Sequence, residues 1–261
     1  MGMPSSPTSL AIAWDREGSS VQHPEPWGLR GVFTTMRVEG EPPLPLFLEP
    51  HLTRIEESAQ LIGLEAVANQ SEIRKKLTDF IRSSPMVAPY LIRICLFENC
   101  LGLSCRLANP AGSGIIGKLL RHKRPLPEAK STAEKELYGR LNEINLSNED
   151  FILVNPENEL VLESATSNLV FSTDNRLLIP ENEILPGIVL GQILTELTGF
   201  QVRRGSPSVE ELNAFEEIIL CGSGREVANL QAIPEIGWQR RSNKVFLQLT
   251  KTYEELKRNN E

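Results

Sequence analysis

The stretch Glu163-Ser164-Ala165-Thr166-Ser167-Asn168 follows the apolar run Leu160-Val161-Leu162. The apolar run predicts a buried strand, and the small polar residues after it predict a turn. A carboxylate at the end of such a strand either lies in water or is buried against a cationic partner, because an unpaired buried charge is costly. Paired, buried carboxylates are common in cofactor sites, so Glu163 is a candidate site residue.

Two glycine turns are candidate anion sites: Leu185-Pro186-Gly187-Ile188-Val189 and Cys221-Gly222-Ser223-Gly224-Arg225. We predict that each joins a strand to a helix. Glycine lets the backbone approach a ligand, and the free amides of a first helical turn attract anions. Arg54, on a helix predicted over residues 50–64, is the candidate basic partner. The alternatives remain open: both turns are ordinary loops, and Arg54 lies on a solvated helix face.

Lys130 is the candidate nucleophile. It precedes Ser131-Thr132-Ala133-Glu134, which has the spacing of a capping box, so we expect Lys130 at a helix N-terminus. The positive end of the helix, with partial burial, would lower its pKa toward a reactive amine. The alternative is that all four lysines of this region are solvent-exposed surface residues: Lys118, Lys123, Lys130 and Lys135.

Composition excludes several classes of protein. The 261 residues carry a net charge of −7, from 27 Lys+Arg against 34 Asp+Glu, whereas nucleic-acid binders have a basic surplus. No apolar run reaches the ~18 residues of a transmembrane helix. The four cysteines form no CxxC pair, so we predict buried free thiols and no metal site. No secretory signal is visible, and we expect a cytoplasmic protein.

The pattern of elements predicts two α+β halves. We expect a partly ordered tail over residues 1–30, a small N-terminal α/β domain over 31–112 and a larger domain over 113–261. The boundary is the loop-forming sequence Asn109-Pro110-Ala111-Gly112-Ser113-Gly114. The second half is expected to be mostly antiparallel sheet.

Six motifs occur in an order that resembles one family. They are Phe33-Thr34-Thr35-Met36-Arg37-Val38, His51-Leu52-Thr53-Arg54-Ile55, Asn148 to Leu153 before the glutamate, Glu163 to Phe171, and the two glycine turns. Together they are similar to the class IV aminotransferases, or fold-type IV pyridoxal-phosphate (PLP) enzymes. That family includes branched-chain and D-amino-acid aminotransferases and aminodeoxychorismate lyase. The resemblance implies the two-domain, D-amino-acid-aminotransferase-like fold.

The resemblance also implies a role for each matching residue. Lys130 stands a little over thirty residues before Glu163, as does the family's catalytic lysine, which binds the cofactor aldehyde and moves the substrate proton. Glu163 would pair with the pyridine nitrogen of the cofactor. The cofactor phosphate would be held by Arg54, the amides of Ile188 and Val189 and the side chain of Ser223. Thr34 and Gly224 would contact the substrate.

Several positions depart from the aminotransferase pattern. Lys135 stands where a tyrosine often contacts the cofactor's ring hydroxyl, and Val189-Leu190 replaces threonine-arginine after the first turn. Leu29-Arg30 replaces the Gly-Asp before the family's first strand. Thr34 stands where aminotransferases more often have glutamate, which favours aminodeoxychorismate lyase.

The resemblance therefore predicts 4-amino-4-deoxychorismate lyase, which forms pyruvate and p-aminobenzoate, a precursor in folate biosynthesis. The first alternative is a D-amino-acid or branched-chain transaminase, and the second is a non-catalytic paralogue that binds cofactor or metabolite. The family forms homodimers with a cofactor cleft between the domains, so the resemblance implies a homodimer that acts on a small amino-acid-like substrate. No membrane or nucleic-acid partner is expected.

Overall fold

A computed structural model describes residues 9–108 and 113–260 of the chain. The chain divides into two compact units. The first takes the described residues up to Ala108 together with the segment Ala129–Lys135. The second takes the described residues between Ala108 and Ala129, together with Glu136 to Asn260.

In the described part of the first unit, six strands form one sheet in the order β2-β1-β6-β5-β3-β4, and two helices pack on one face of it. The strands are β1 Ser9–Asp15, β2 Ser20–Val21, β3 Gly31–Glu39, β4 Leu44–Pro45, β5 Tyr90–Phe97 and β6 Cys100–Leu107. The helices are α1 Leu48–Leu61 and α2 Gln70–Ser83. Alternate strand residues such as Met36 and Ile92 meet the helices at Ile55 and Leu77, which gives this unit its core.

In the second unit, the described residues form a nine-stranded mixed sheet. Its order is β12-β11-β10-β13-β14-β7-β8-β9, with β15 paired to β14. The strands are β7 Ser113–Arg121, β8 Glu149–Val154, β9 Val161–Ser164, β10 Asn168–Thr173, β11 Arg176–Ile179, β12 Gln201–Arg204, β13 Glu217–Gly222, β14 Glu226–Ile233 and β15 Trp238–Gln239. The helices are α3 Lys135–Arg140, whose first residue belongs to the first unit, α4 Ile188–Glu196 and α5 Lys244–Asn260. The expected α+β fold is confirmed, but β7 pairs in parallel with both β8 and β14, so this sheet is mixed.

The division of the chain differs from the expected one in two respects. Ala129–Lys135 belongs to the first unit, although the chain on both sides of it belongs to the second. Ser9–Asp15, within the expected tail, is a strand paired along its length with β6. The expected linker falls largely on residues 109–112, which lie outside the described part of the chain.

Two predicted helix starts are wrong. After Gly222-Ser223-Gly224 the chain enters strand β14, because Val227 to Ile233 pairs back onto β13 as a hairpin and onto β7. The helix predicted after the capping box starts only at Lys135, so Ser131 to Glu134 is not its first turn. Instead the Ser131 hydroxyl accepts a hydrogen bond from the Ala133 amide, 3.1 Å away, in a local turn.

All four cysteines lie in the described residues, where each is buried and free, as expected. No described helix is both long and apolar enough to cross a bilayer. The described side chains form no cluster of three or more potential metal ligands.

Candidate active site

Lys130 lies in an extended segment at the edge of the first unit's sheet. Its carbonyl accepts a hydrogen bond from the amide of Phe33 on β3 (2.9 Å), and the next residue, Ser131, forms an antiparallel bridge with Val32. The Lys130 amide donates to the hydroxyl of Ser58 on α1 (3.1 Å). These bonds fix the backbone of the lysine between strand and helix without the helix N-terminus that the sequence predicted.

The ammonium group of Lys130 lies over an aromatic ring. Its Nζ is 4.9 Å from the centre of the Phe33 ring, within the range of a cation–π contact. The guanidinium of Arg93 on β5 lies 5.8 Å from the centre of the same ring and 4.7 Å from that of Trp27. One phenyl ring therefore links the candidate nucleophile to a second cation.

Arg93 also borders a cavity of about 250 Å³ on the sheet face opposite the helices. Its other polar walls are His23, Glu25, Thr35, Ser104 and Arg106. Within the described residues Arg93 makes no salt bridge, and its buried Nε has no hydrogen-bond partner. Half-buried Arg93 therefore has one unsatisfied donor beside a cavity that the carboxylate residue Glu25 also lines.

Arg54 lies on α1 with its guanidinium directed toward β3. Its Nη2 donates to the hydroxyl of Thr34 at 2.6 Å and lies 3.3 Å from Nδ1 of His51, one turn earlier on the helix. The Thr34 hydroxyl and His51 Nδ1 are 2.7 Å apart. Thr34 is fully buried in this cluster, where its hydroxyl contacts Arg54 and His51.

Burial, with the positive charges of Arg54 and Lys130 adding to it, holds the pKa of His51 well below its ordinary value. His51 is therefore neutral at physiological pH. A neutral imidazole next to Arg54 adds no further positive charge to those of Arg54 and Lys130.

In the second unit, Glu163 is buried at the end of β9, with 4% of its surface exposed. Its Oε1 accepts a hydrogen bond of 2.8 Å from Nε of Arg124, which is also buried. Arg124 in turn donates to the hydroxyl of Tyr138 (3.1 Å) and the carbonyl of Ala165 (3.4 Å). Of the two alternatives open from the sequence, the structure shows a buried carboxylate with a cationic partner.

The first glycine turn depends on Asn168, the last residue of the motif that begins with Glu163. Its Nδ2 donates to the Leu185 carbonyl at 2.8 Å. A Cβ on Gly187 would fall 1.7 Å from Asn168 Oδ1, so glycine is required there. Gly187 precedes α4, whose first residues are Ile188 and Val189. Their amides have no acceptor within the helix, because the first turn of a helix leaves its N–H groups without intrahelical partners.

The second turn packs on the same motif. A Cβ on Gly222 would lie 2.8 Å from Ser167 Oγ, and the Arg225 amide closes the turn on the Gly222 carbonyl at 3.1 Å. Ser223 and Gly224 are half-buried at its tip. The turn thus presents Ser223 from a hairpin rather than from a helix start.

A buried ion pair holds this turn. Arg225 Nε donates to Asp150 Oδ2 at 3.0 Å, and the same oxygen accepts from the hydroxyls of Thr166 (2.5 Å) and Ser164 (3.1 Å). Burial raises the pKa of Asp150, while the Arg225 charge and the hydroxyl bonds oppose that rise. The network ties the Glu163–Asn168 motif to the second turn.

These residues fit PLP in each unit taken separately. The second unit has a buried acid for the ring nitrogen and two glycine turns, at Gly187 and Gly222, into which a Cβ could not fit. The first unit has a lysine amine for the aldehyde and the arginine Arg54 for the phosphate dianion. The candidate residues predicted from the sequence fall into two sets, one in each unit. The first unit has Thr34, Arg54 and Lys130, and the second has Glu163, Ile188, Val189, Ser223 and Gly224.

Sequence reasoning missed five residues: His51, Arg93, Arg124, Asp150 and Arg225. Three carry weak signals. Arg93 is a charge in an apolar strand, Asp150 opens one, and Arg225 follows a glycine turn. Each signal fits solvent exposure equally well, and only the tertiary partner reveals burial.

The sequence profile of one family, described as amino-transferase class IV, matches residues 31–233. A search of curated protein sequences finds no significant relative.

Several solved structures resemble this fold. A putative branched-chain aminotransferase from Thermotoga maritima has a TM-score of 0.78 at 21% identity, covering 95% of this chain and 96% of its own. The Escherichia coli branched-chain aminotransferase has a TM-score of 0.76 at 19% identity, covering 94% and 93%. A PLP-bound hypothetical aminotransferase from Mycobacterium tuberculosis has a TM-score of 0.72 at 19% identity, covering 94% and 98%. At these identities the likeness concerns the fold.

The family match carries more weight than the structural likenesses, since it spans well over half of the chain and takes in every candidate site residue. The protein therefore belongs to the class IV aminotransferase family and is a PLP-dependent enzyme that acts on small amino-acid substrates.

Proposed function

We propose that Lys130 binds PLP covalently and that the enzyme releases pyruvate from 4-amino-4-deoxychorismate to form p-aminobenzoate. The observation that carries this proposal is that Lys130 and Arg93 both contact the Phe33 ring, 4.9 Å and 5.8 Å from its centre. An amine nucleophile and a guanidinium without a salt bridge, so close together, favour an amino substrate with a carboxylate beyond its reacting carbon. Aminodeoxychorismate has such carboxylates.

Bound PLP supplies an electron sink for the pair released when the substrate loses a proton. Lys130, as a free amine, accepts that proton at Nζ and later returns one. Glu163 holds a proton at the ring nitrogen, and Arg124 orients the Glu163 carboxylate through its Nε–H. Arg54, Ser223 and the amides of Ile188 and Val189 bind the phosphate.

The position of Lys135 supports the lyase over a transaminase. Its aliphatic stem packs along Gly28, where an added Cβ would lie 3.1 Å from the Lys135 Cδ. A tyrosine hydroxyl that aminotransferases often use at this position is therefore absent. For the substrate contacts we propose Gly224, through its amide; Thr34, which the sequence also suggested, is buried against Arg54 and His51.

A transaminase is the second candidate. Arg93 favours it as well, because glutamate, a common amino donor, has a second carboxylate that a guanidinium can bind. The similar structures named as branched-chain aminotransferases are consistent with this candidate. A cofactor-binding paralogue without activity is the third.

One experiment separates the three candidates. The PLP-loaded protein is supplied with aminodeoxychorismate, and pyruvate and p-aminobenzoate are measured; in parallel it receives D- or L-amino acids with a keto-acid acceptor. We expect product from the first assay. Product from the second alone would make the enzyme a transaminase, and none from either would support the paralogue.

The lysine is tested separately. Borohydride reduction of the loaded protein should fix the cofactor to the peptide that contains Lys130, and Lys130→Ala should abolish that label while the control Lys135→Ala retains it. A label on Lys123 or Lys135 would refute the assignment. Arg93→Met should raise KM for either candidate substrate far more than it changes PLP binding.

We also propose a cytoplasmic homodimer. Burial raises the pKa of the Cys95 and Cys221 thiols to about 12, which keeps them protonated and suits a reducing compartment. Light scattering coupled to size exclusion should give twice the chain mass of 29.1 kDa. A monomer that retains full activity would refute the dimer.

A further inference from the structure

The residues beneath Arg54 form a chain of hydrogen bonds whose direction can be assigned. Thr34 lies on β3, and His51 and Arg54 lie three residues apart on the face of α1 that packs against it. Thr34 and His51 are both buried, with 0% and 1% of their surfaces exposed. Solvent therefore does not compete for these bonds.

A guanidinium has only donors, so Arg54 Nη2 must donate to the Thr34 oxygen at 2.6 Å. The hydroxyl has one proton of its own, and it lies 2.7 Å from the potential acceptor His51 Nδ1. A proton on Nδ1 would point toward that hydroxyl and the Arg54 Nη2, which is 3.3 Å from Nδ1. Nδ1 is therefore the bare acceptor, and the imidazole carries its proton on Nε2.

This assignment agrees with the electrostatics of the cluster. A protonated His51 would lose the acceptor and add a positive charge facing Arg54 and Lys130, the two cations that act on it. The neutral ring instead completes the sequence Arg54 N–H to Thr34 O–H to His51 Nδ1. Neither Thr34 nor His51 contributes a negative charge, so they orient the guanidinium without neutralising it.

We propose that Thr34 and His51 are positioning residues that hold Arg54 ready for the phosphate group of PLP. This proposal rests on the phosphate role of Arg54. In this role the pair acts on the ligand through Arg54, so its effect should be greatest for ligands that carry a phosphate. A glutamate at position 34 would orient the same guanidinium but would compete with the phosphate for its charge.

The test compares PLP with pyridoxal, which has the same ring and aldehyde but no phosphate. Apo-protein variants are titrated with each, and binding is followed by absorbance. Thr34→Val removes the hydroxyl with little change in volume, and Thr34→Ser retains it as the matched control. A hydrogen bond to a charged group is worth roughly tenfold in an equilibrium constant. We expect Thr34→Val to weaken PLP about tenfold, to leave pyridoxal within about twofold, and Thr34→Ser to bind both as the parent does.

Equal weakening of PLP and pyridoxal would overturn the proposal, since general damage to the fold has that effect. Unchanged PLP binding would overturn it as well. Arg54→Met tests the underlying phosphate role: if this variant leaves the ratio of the two affinities unchanged, the role of Arg54 is wrong, independently of Thr34.

A second measurement uses the wild-type protein, so it does not depend on whether a variant folds. Nitrogen-15 spectra of histidine-labelled wild-type protein, with its three histidines, report which ring nitrogen carries the proton. We expect one neutral histidine with its proton on Nε2 that does not titrate between pH 8 and 5.5. A charged ring, or a proton on Nδ1, would refute the hydrogen-bond direction.

Discussion

Lowering the pH should destabilise the protein through His51. The ordinary pKa of histidine is 6.5, and in the folded protein burial and the charges of Arg54 and Lys130 hold the His51 pKa well below that value. The unfolded chain therefore takes up a proton that the folded chain refuses. The stability due to the neutral ring is complete above pH 6.5 and is lost as the pH falls through 6.5 toward the folded pKa.

The size of this effect follows from the two protonation states. At pH 5.5 the unfolded histidine is about ten-elevenths protonated, whereas the folded one remains neutral. The free energy of unfolding should then be lower at pH 5.5 than at pH 8, by on the order of 1 kcal/mol from this residue alone. Below pH 5.5 the loss continues until the folded pKa is reached.

Urea unfolding of the apo-protein, followed by tryptophan fluorescence at both pH values, measures the change. His51→Asn is the control, because the asparagine Oδ1 can accept the Thr34 proton as Nδ1 does but does not titrate. The burial-lowered pKa of His23 acts in both proteins and cancels in the difference. An equal pH dependence in wild type and variant, or a wild type that gains stability toward pH 5.5, would refute the reasoning.

Three further substitutions test the buried contacts. Gly187→Ala should lower the free energy of unfolding by about 2 kcal/mol or more, because its Cβ would lie 1.7 Å from Asn168 Oδ1. The double variant with Asn168→Ala should recover part of that loss when both are measured by urea unfolding. Arg225→Met should cost about 3–5 kcal/mol by leaving the Asp150 charge buried and unpaired; adding Asp150→Asn should restore stability, and no recovery would contradict the ion pair. Glu163→Gln should shift the absorbance of bound cofactor and weaken its binding, and an unchanged spectrum would argue against contact with the ring nitrogen.

Local patterns predicted the helices of the first unit well. The apolar positions Ile73, Leu77 and Ile81 recur at helical spacing, and α2 spans them from Gln70 to Ser83 because Asn69 caps its first turn. The β5–β6 hairpin is visible in the sequence as two apolar runs that Glu98-Asn99 interrupts.

Strands whose pairing is distant were missed. The lysines and arginines over residues 118–124 obscured the strand pattern of β7. The strands that β7 pairs with, β8 and β14, are far along the chain. The second glycine turn was given a helix, because glycine punctuates both hairpins and helix starts. In β1, Leu10, Ile12 and Trp14 alternate toward the core, but the apolar residues Ala11 and Ala13 between them hid that period.

The candidate site shows the same limit. Motif spacing could single out Lys130 and Glu163, but the partners that make a site work lie far away in sequence. Arg124 is 39 residues from Glu163, and Asp150 is 75 from Arg225. A single sequence contains no signal for such pairs, because their cause is the tertiary fold.

The return of Ala129–Lys135 to the first unit has a consequence for how the protein is made. When the first 108 residues have left the ribosome, the edge of β3 at Gly31 and Phe33 still lacks the partners that Thr132 and Lys130 supply. Until residue 132 has been translated, that edge can pair with a strand other than its native partner. A chain cut near residue 112 would therefore give an N-terminal fragment prone to self-association, whereas a cut placed after residue 135 leaves this unit with all of its strand partners.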